Sequence, residues 1–232
     1  MAIESGDGIV LVAGPTGSGK STALKLFLEL VHFLYPYKSI FTIENPPEYR
    51  IEGAKQLAVP QIEGWSFEKV LREALRSDPD VIMVGEIREP DTAKTAVQAA
   101  LTGHQVFSTV HARDITSIVE RIKTLGLDLS ELIKENIARL LVAQRLVPKL
   151  CPHCRVKGEF KDFGVVGYLS KGCEKCEGTG VSGRVVLEEA VGFKEFFQSH
   201  NWQLKPLSAE KLVELKFYFF QSHNWQLKQA CP

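Results

Sequence analysis

Net charge is missing from this sequence: 28 Lys and Arg stand against 28 Asp and Glu. Nothing general therefore draws the chain to nucleic acid or to an anionic membrane, and the expectation is of no nucleic-acid partner. Long apolar runs are missing too. Charge or proline breaks each of them well short of a bilayer-crossing length, and the first residues hold no signal-peptide core. These absences predict a cytoplasmic protein. Cysteine is scarce, five residues in 232. Four of the five form two close pairs, which in an intracellular chain favours metal over disulfides, while Cys231 reads as a bystander beside the C-terminus. The last absence is local. The apolar run Val81 to Val84 ends in Gly85 and Glu86, with no aspartate.

What is present suffices for a full core: 232 residues at 44% hydrophobic fit one domain with an appendage, or two small domains. Near the start, an apolar strand over Ile9 to Ala13 leads into Gly14-Pro15-Thr16-Gly17-Ser18-Gly19-Lys20-Ser21-Thr22, after which the periodicity turns helical. This is the phosphate-loop pattern in its strand-loop-helix context. Gly17 and Gly19 let backbone amides face phosphates, and the helix N-terminus adds partial positive charge. Lys20 would bridge the β- and γ-phosphates of ATP, and the Ser21 hydroxyl would ligate magnesium. A chance glycine-rich turn is the competing reading.

The run DVIMVGEIR, residues 80–88, then reads as a parallel strand buried on both faces. In a nucleotide hydrolase an aspartate at its end holds magnesium through water. Glu86 is the nearest carboxylate here and is taken as a magnesium contact beside Ser21.

With the phosphate loop, LRSDPDVIMVGEIRE resembles the secretion and pilus ATPases of the type II secretion and type IV pilus assembly class, GspE/PilB-like, in which Gly-Glu is the usual ending. The resemblance runs from about residue 8 to about residue 190; Glu89 departs from the family's aspartate. FTIENPPEY, residues 41–49, is similar to the family's aspartate box. Glu44 and Glu48 match it, and Asn45 stands in place of an aspartate. Hydrolysis needs a carboxylate to prepare the attacking water, and Glu44 and Glu86 are both candidates. Without the family, Glu44 would read as a strand-end cap. AALTGHQVFSTVHARD, residues 99–114, places His104 and His111 at the two ends of a strand. A lone histidine is usually structural; the resemblance implies that His111 senses the γ-phosphate or couples subunits. Ala112-Arg113 departs from the usual Thr-Asn.

Cys151 and Cys154, eighteen residues, then Cys173 and Cys176 fit the template of a structural four-cysteine zinc site, with no open position for catalysis. A redox pair competes with that reading, and CEKCEGTG also resembles a single chaperone zinc repeat. In the secretion family a tetracysteine element follows a QRLVPKLC helix, and it marks assembly enzymes more than retraction enzymes.

The resemblance implies a RecA-like α/β P-loop core over 1–148, a tetracysteine zinc element over 149–190, and a helical tail over 191–232. Inside the tail, FFQSHNWQLK occurs twice, at 196–205 and 219–228, around a helix expected after Ser208; Trp202 and Trp225 are candidates for docking. Family members carry an earlier domain that supplies arginines to the nucleotide, so the chain is expected to be a fragment. Arg50, Arg72, Arg76 and Arg88 could serve at a subunit edge, though structural ion pairs are the commoner use. The implied function is a homo-hexameric ATPase using ATP, Mg2+ and Zn2+, reaching the membrane only through an inner-membrane platform protein and driving pilin assembly in secretion or pilus extension. The rivals are a conjugation or type IV secretion ATPase, a non-hydrolysing nucleotide-binding fragment, and a nucleic-acid motor of the same fold.

Overall fold

The computed structural model describes residues 7–160 and 165–193. The duplicated segment, the expected helix after Ser208, Trp202, Trp225 and Cys231 lie outside them. The described residues form β1 (Gly8–Ala13), α1 (Lys20–Leu34), β2 (Ile40–Glu44), β3 (Ala54–Ala58), α2 (Phe67–Leu75), β4 (Val81–Val84), α3 (Pro90–Leu101) and β5 (Gln105–Val110). There follow α4 (Ile115–Thr124), α5 (Leu129–Lys134), β6 (Ala138–Leu150), β7 (Arg155–Phe160), β8 (Val165–Ser170) and β9 (Val181–Gly192).

The continuous apolar runs become central strands. Every residue of β1, β2, β4 and β5 is buried, as expected where a parallel strand is covered on both faces. The sheet order is β3-β2-β4-β5-β1-β6-β9, parallel from β3 to β6, with β9 antiparallel at the edge. Alternation along β1 divides the core. Val10 and Val12 meet Leu24, Leu28 and Val31 of α1 on one face. Ile9 and Leu11 meet residues of α2, α3, α4 and α5 on the other. Because β1, β2, β4 and β5 are parallel, the loops after all four leave the same edge, where open α/β sheets bind ligands.

The QRLVPKLC stretch corrects one expectation, because it lies on β6 and not on a helix. Its first half pairs with β1; from Gln144 outward only β9 lies beside it, making a two-stranded arm. Pro148 is tolerated there because, past the end of β1, one flank of β6 has no neighbour needing its missing N–H. The segment between the cysteine pairs includes the β7-β8 hairpin.

One turn has a sharp steric requirement. Gly53 has φ +76°, and a Cβ there would lie 2.3 Å from His32 Nδ1. Gly53→Ala is expected to destabilise the chain by about 1–3 kcal/mol. Urea unfolding measures it, and an unchanged midpoint contradicts the packing described.

Candidate active site and metal centre

Local sequence decides which helix ends are open. The N-terminal amides of α2, α4 and α5 are capped by the side chains of Ser66, Asp114 and Asp128. Helix α1 begins after Gly19, in the left-handed conformation, with no side-chain cap. Its first N–H groups are thus left to an anion. The loop before it is tightly held. Gln144 Nε2, from β6, donates to Ser18 O at 2.7 Å. A Cβ on Gly14 would lie 2.3 Å from Ser18 Oγ and 2.4 Å from Gln144 O, so only glycine fits. Ser18 Oγ is buried without a hydrogen-bond partner among the described residues.

Lys20 Nζ donates to Gly14 O at 2.7 Å and Pro15 O at 3.0 Å. Burial lowers its pKa below the ordinary 10.5, against the opposing pull of Glu86 and Glu48. Pro15, Thr16, Gly17, Ser21 and Thr22 are exposed around it. The residues fit a nucleoside polyphosphate: an uncapped helix end, a lysine and a glycine-lined loop lie together.

The carboxylates answer the question of the missing aspartate. Gly85 N donates to Ile43 O at 2.8 Å, and Thr109 Oγ1 donates to Gly85 O at 2.7 Å. A Cβ on residue 85 would stand 3.2 Å from Ile43 O and 3.7 Å from Glu44 Cγ. The Ile43 carbonyl is thus the tight contact, with the Glu44 side chain at ordinary van der Waals distance beside it, and an aspartate would crowd that carbonyl. Glu44 itself is buried. Its Oε1 accepts from Thr42 Oγ1 at 2.7 Å and from Gln56 Nε2 at 3.0 Å.

Glu86 is arranged differently. Its Oε2 pairs with Arg88 at 2.6 Å, and His111 Nε2 lies 3.0 Å from its Oε1 without hydrogen-bond geometry. The hydrogen bond to Glu86 raises the Arg88 pKa. Arg121 on α4 donates to Arg88 O at 2.7 Å, and Arg145 on β6 donates to Arg113 O at 3.2 Å, so the loops bearing Glu86 and His111 are each tied to a neighbouring element. Arg72 and Arg76 pair with Glu68 and Glu73 on their own helix. His104 Nδ1 meets Ala99 O and Thr102 Oγ1, a structural use. Asn45 Oδ1 accepts from Gln61. Gln56, Thr42 and Gln144 are the residues that motif reading missed; Thr42 and Gln144 signal themselves as polar side chains interrupting apolar strands, while Gln56 on the polar edge strand gives no such signal.

At the far end of β6 and β9 the four cysteines converge. Sγ separations are 3.9 Å for Cys151–Cys173, 3.8 Å for Cys154–Cys176 and 3.7 Å for Cys173–Cys176. Tetrahedral zinc with Zn–S near 2.3 Å requires S···S of about 3.8 Å. Burial pushes the Cys173 thiol up to about 11. Burial acts the same way on Cys176, but the backbone N–H groups of Cys173 and Gly180 overcome it and bring that thiol to about 6. They donate to Cys176 Sγ at 3.2 and 3.3 Å. The donor set fits a four-thiolate metal.

Comparisons with known proteins agree with this geometry. Residues 1–205 match the family described as Type II/IV secretion system protein. The type II secretion system protein HxcR of Pseudomonas aeruginosa is 42% identical over 187 residues, covering 81% of this chain and 38% of HxcR. The type IV pilus assembly ATPase PilB of Thermus thermophilus is 40% identical over 200 residues, covering 79% of this chain and 22% of PilB. The crystal structure of the pilus retraction motor PilT with bound ADP superposes with a TM-score of 0.56 at 28% identity, over 97% of this chain and 55% of PilT. The chain therefore spans well under half the length of these curated relatives. Phosphate loop, carboxylate pair and sheet order accord with what the match over 1–205 shows: the chain belongs to the Type II/IV secretion system protein family.

Proposed function

We propose that the chain is the nucleotide-hydrolysing core of a motor ATPase serving type II secretion or type IV pilus extension. The observation that carries this is the convergence, at one edge of the sheet, of an uncapped helix N-terminus bearing Lys20 with the carboxylates of Glu44 and Glu86. In this reading residues 14–22 cradle the phosphates of ATP, and Lys20 turns from the carbonyls of Gly14 and Pro15 to the β- and γ-phosphates. Magnesium held by Ser21 and Glu86 would neutralise charge developing on the transferred phosphoryl group.

Glu86 is ion-paired with Arg88 and adjoins His111, whereas the hydrogen bonds that Glu44 accepts come from the neutral Thr42 and Gln56. That assigns preparation of the water to Glu44 and leaves His111 to couple nucleotide state to the neighbouring subunit. The four cysteines would hold a structural zinc at the tip of the arm, dividing the chain into a core over 1–148, a zinc element over 149–190 and a tail over 191–232. The expected assembly is a homo-hexamer on an inner-membrane platform protein. The names of HxcR, a type II secretion system protein, and PilB, a type IV pilus assembly ATPase, support the secretion and pilus setting.

Mg-ATP hydrolysis measured over a wide range of chain concentration tests the reading. Turnover per subunit is expected to rise with concentration as sites complete one another in a ring. ATP binding with no phosphate release at any concentration would instead identify a non-hydrolysing nucleotide-binding unit.

A further inference from the structure

We propose that Gln56, on the edge strand β3, is a positioning residue that selects which oxygen of Glu44 meets the attacking water. The inference rests on the reading of Glu44 given above. Its basis is how the Gln56 amide is used. Nε2 donates to Glu44 Oε1 at 3.0 Å and to Tyr49 O at 2.8 Å, while Oε1 accepts from Ile51 N at 3.0 Å. One side chain therefore fastens the far end of the 45–51 loop to the carboxylate that precedes its start. Thr42, opposite Gln56 in the parallel register, donates to the same Glu44 oxygen at 2.7 Å.

Two donors on Oε1 leave Oε2 as the oxygen available to a water. The loop so fastened carries Glu48, whose charge acts on Lys20. Gln56 thereby links the orientation of the carboxylate to the loop that senses the phosphate-binding lysine. A residue that merely braced the loop would bond Tyr49 O and Ile51 N and spare the carboxylate. The shared fork is what points to positioning.

The test is steady-state Mg-ATP turnover and nucleotide binding by the full chain in four forms: parent, Gln56→Met, Glu44→Gln and the double variant. Gln56→Met is expected to lower kcat roughly 10- to 100-fold, the range for a lost hydrogen bond to a charged group, with nucleotide affinity held within about twofold. In the Glu44→Gln background the same change is expected to add nothing, because residues acting as a unit are not additive. Gln56→Asn serves if Gln56→Met fails to fold, because it keeps a polar side chain on β3 while drawing the amide back from Glu44 by one carbon; its kcat should fall as well. Equal losses from Gln56→Met in both backgrounds, or an unchanged kcat in Gln56→Asn, would overturn the positioning role alone. Full turnover by Glu44→Gln would instead remove the assignment of Glu44, and Gln56 with it.

Discussion

Lys20→Ala is expected to lower ATP turnover by roughly 10²–10³-fold or more, the loss seen when a preorganised charge on a reacting group is removed. The fold should survive the change, and the reason is electrostatic. Burial holds the Lys20 pKa below 10.5, so folding disfavours the ammonium despite the attraction of Glu86 and Glu48. For a base with a depressed folded pKa, that cost is fully present below the folded value and vanishes above the unfolded one. At neutral pH the alanine variant discards the cost together with two hydrogen bonds, to Gly14 O and Pro15 O, and its unfolding midpoint should stay close to the parent's. Phosphate release and thermal unfolding, measured on one preparation, check both halves. Parent-like turnover would remove the nucleotide site from residues 14–22.

Removal of metal from the cysteine cluster should have an equally large effect confined to the arm. A structural four-thiolate zinc contributes on the order of 10–16 kcal/mol to the segment it folds. Little else holds that segment. Val156, Val166 and Leu169 of the β7-β8 hairpin are exposed, and a contact between Arg155 and the Tyr168 ring at 5.1 Å is worth about 0.5–1 kcal/mol at such a site. Cys151 is 1% exposed, with its Sγ 3.9 Å from that of Cys173. Cys151→Ser, or a strong chelator, is therefore expected to open residues 151–180 to protease and to hydrogen exchange while the seven-stranded sheet keeps its protection. Metal analysis should give one zinc per parent chain and none per variant. Equal protease resistance with and without metal would show that the thiols pack as an ordinary small core.

Much of the core was legible because its signals are local. The runs at β1 and β4 are apolar without alternation, and the phosphate-loop spacing identifies the turn before α1. QRLVPKLC was misread because Leu146, Val147 and Leu150 suit a helix as readily as a strand, and pairing with β9 decided between them. The support of the site was hidden for another reason. Gln56 reaches Glu44 across 12 residues and Gln144 reaches Ser18 across 126, so their roles exist only once β3 and β6 have been placed in the sheet. Gly85 was visible as an oddity, but its explanation required the position of the Ile43 carbonyl on the neighbouring strand.

Strand β6 has a mechanical consequence. Gln144 grips the phosphate loop through Ser18 O, and the same strand runs on to Leu150, beside the first cysteine, with β9 paired along it. The seven residue-to-residue steps of extended chain from Gln144 to Cys151 make a beam of roughly 23 Å. A tilt of about 5° at the grip moves the tip by about 2 Å over that length. The cysteine cluster sits at the tip of that beam, so the geometry relates a small rotation at the phosphate loop to a larger displacement at the surface.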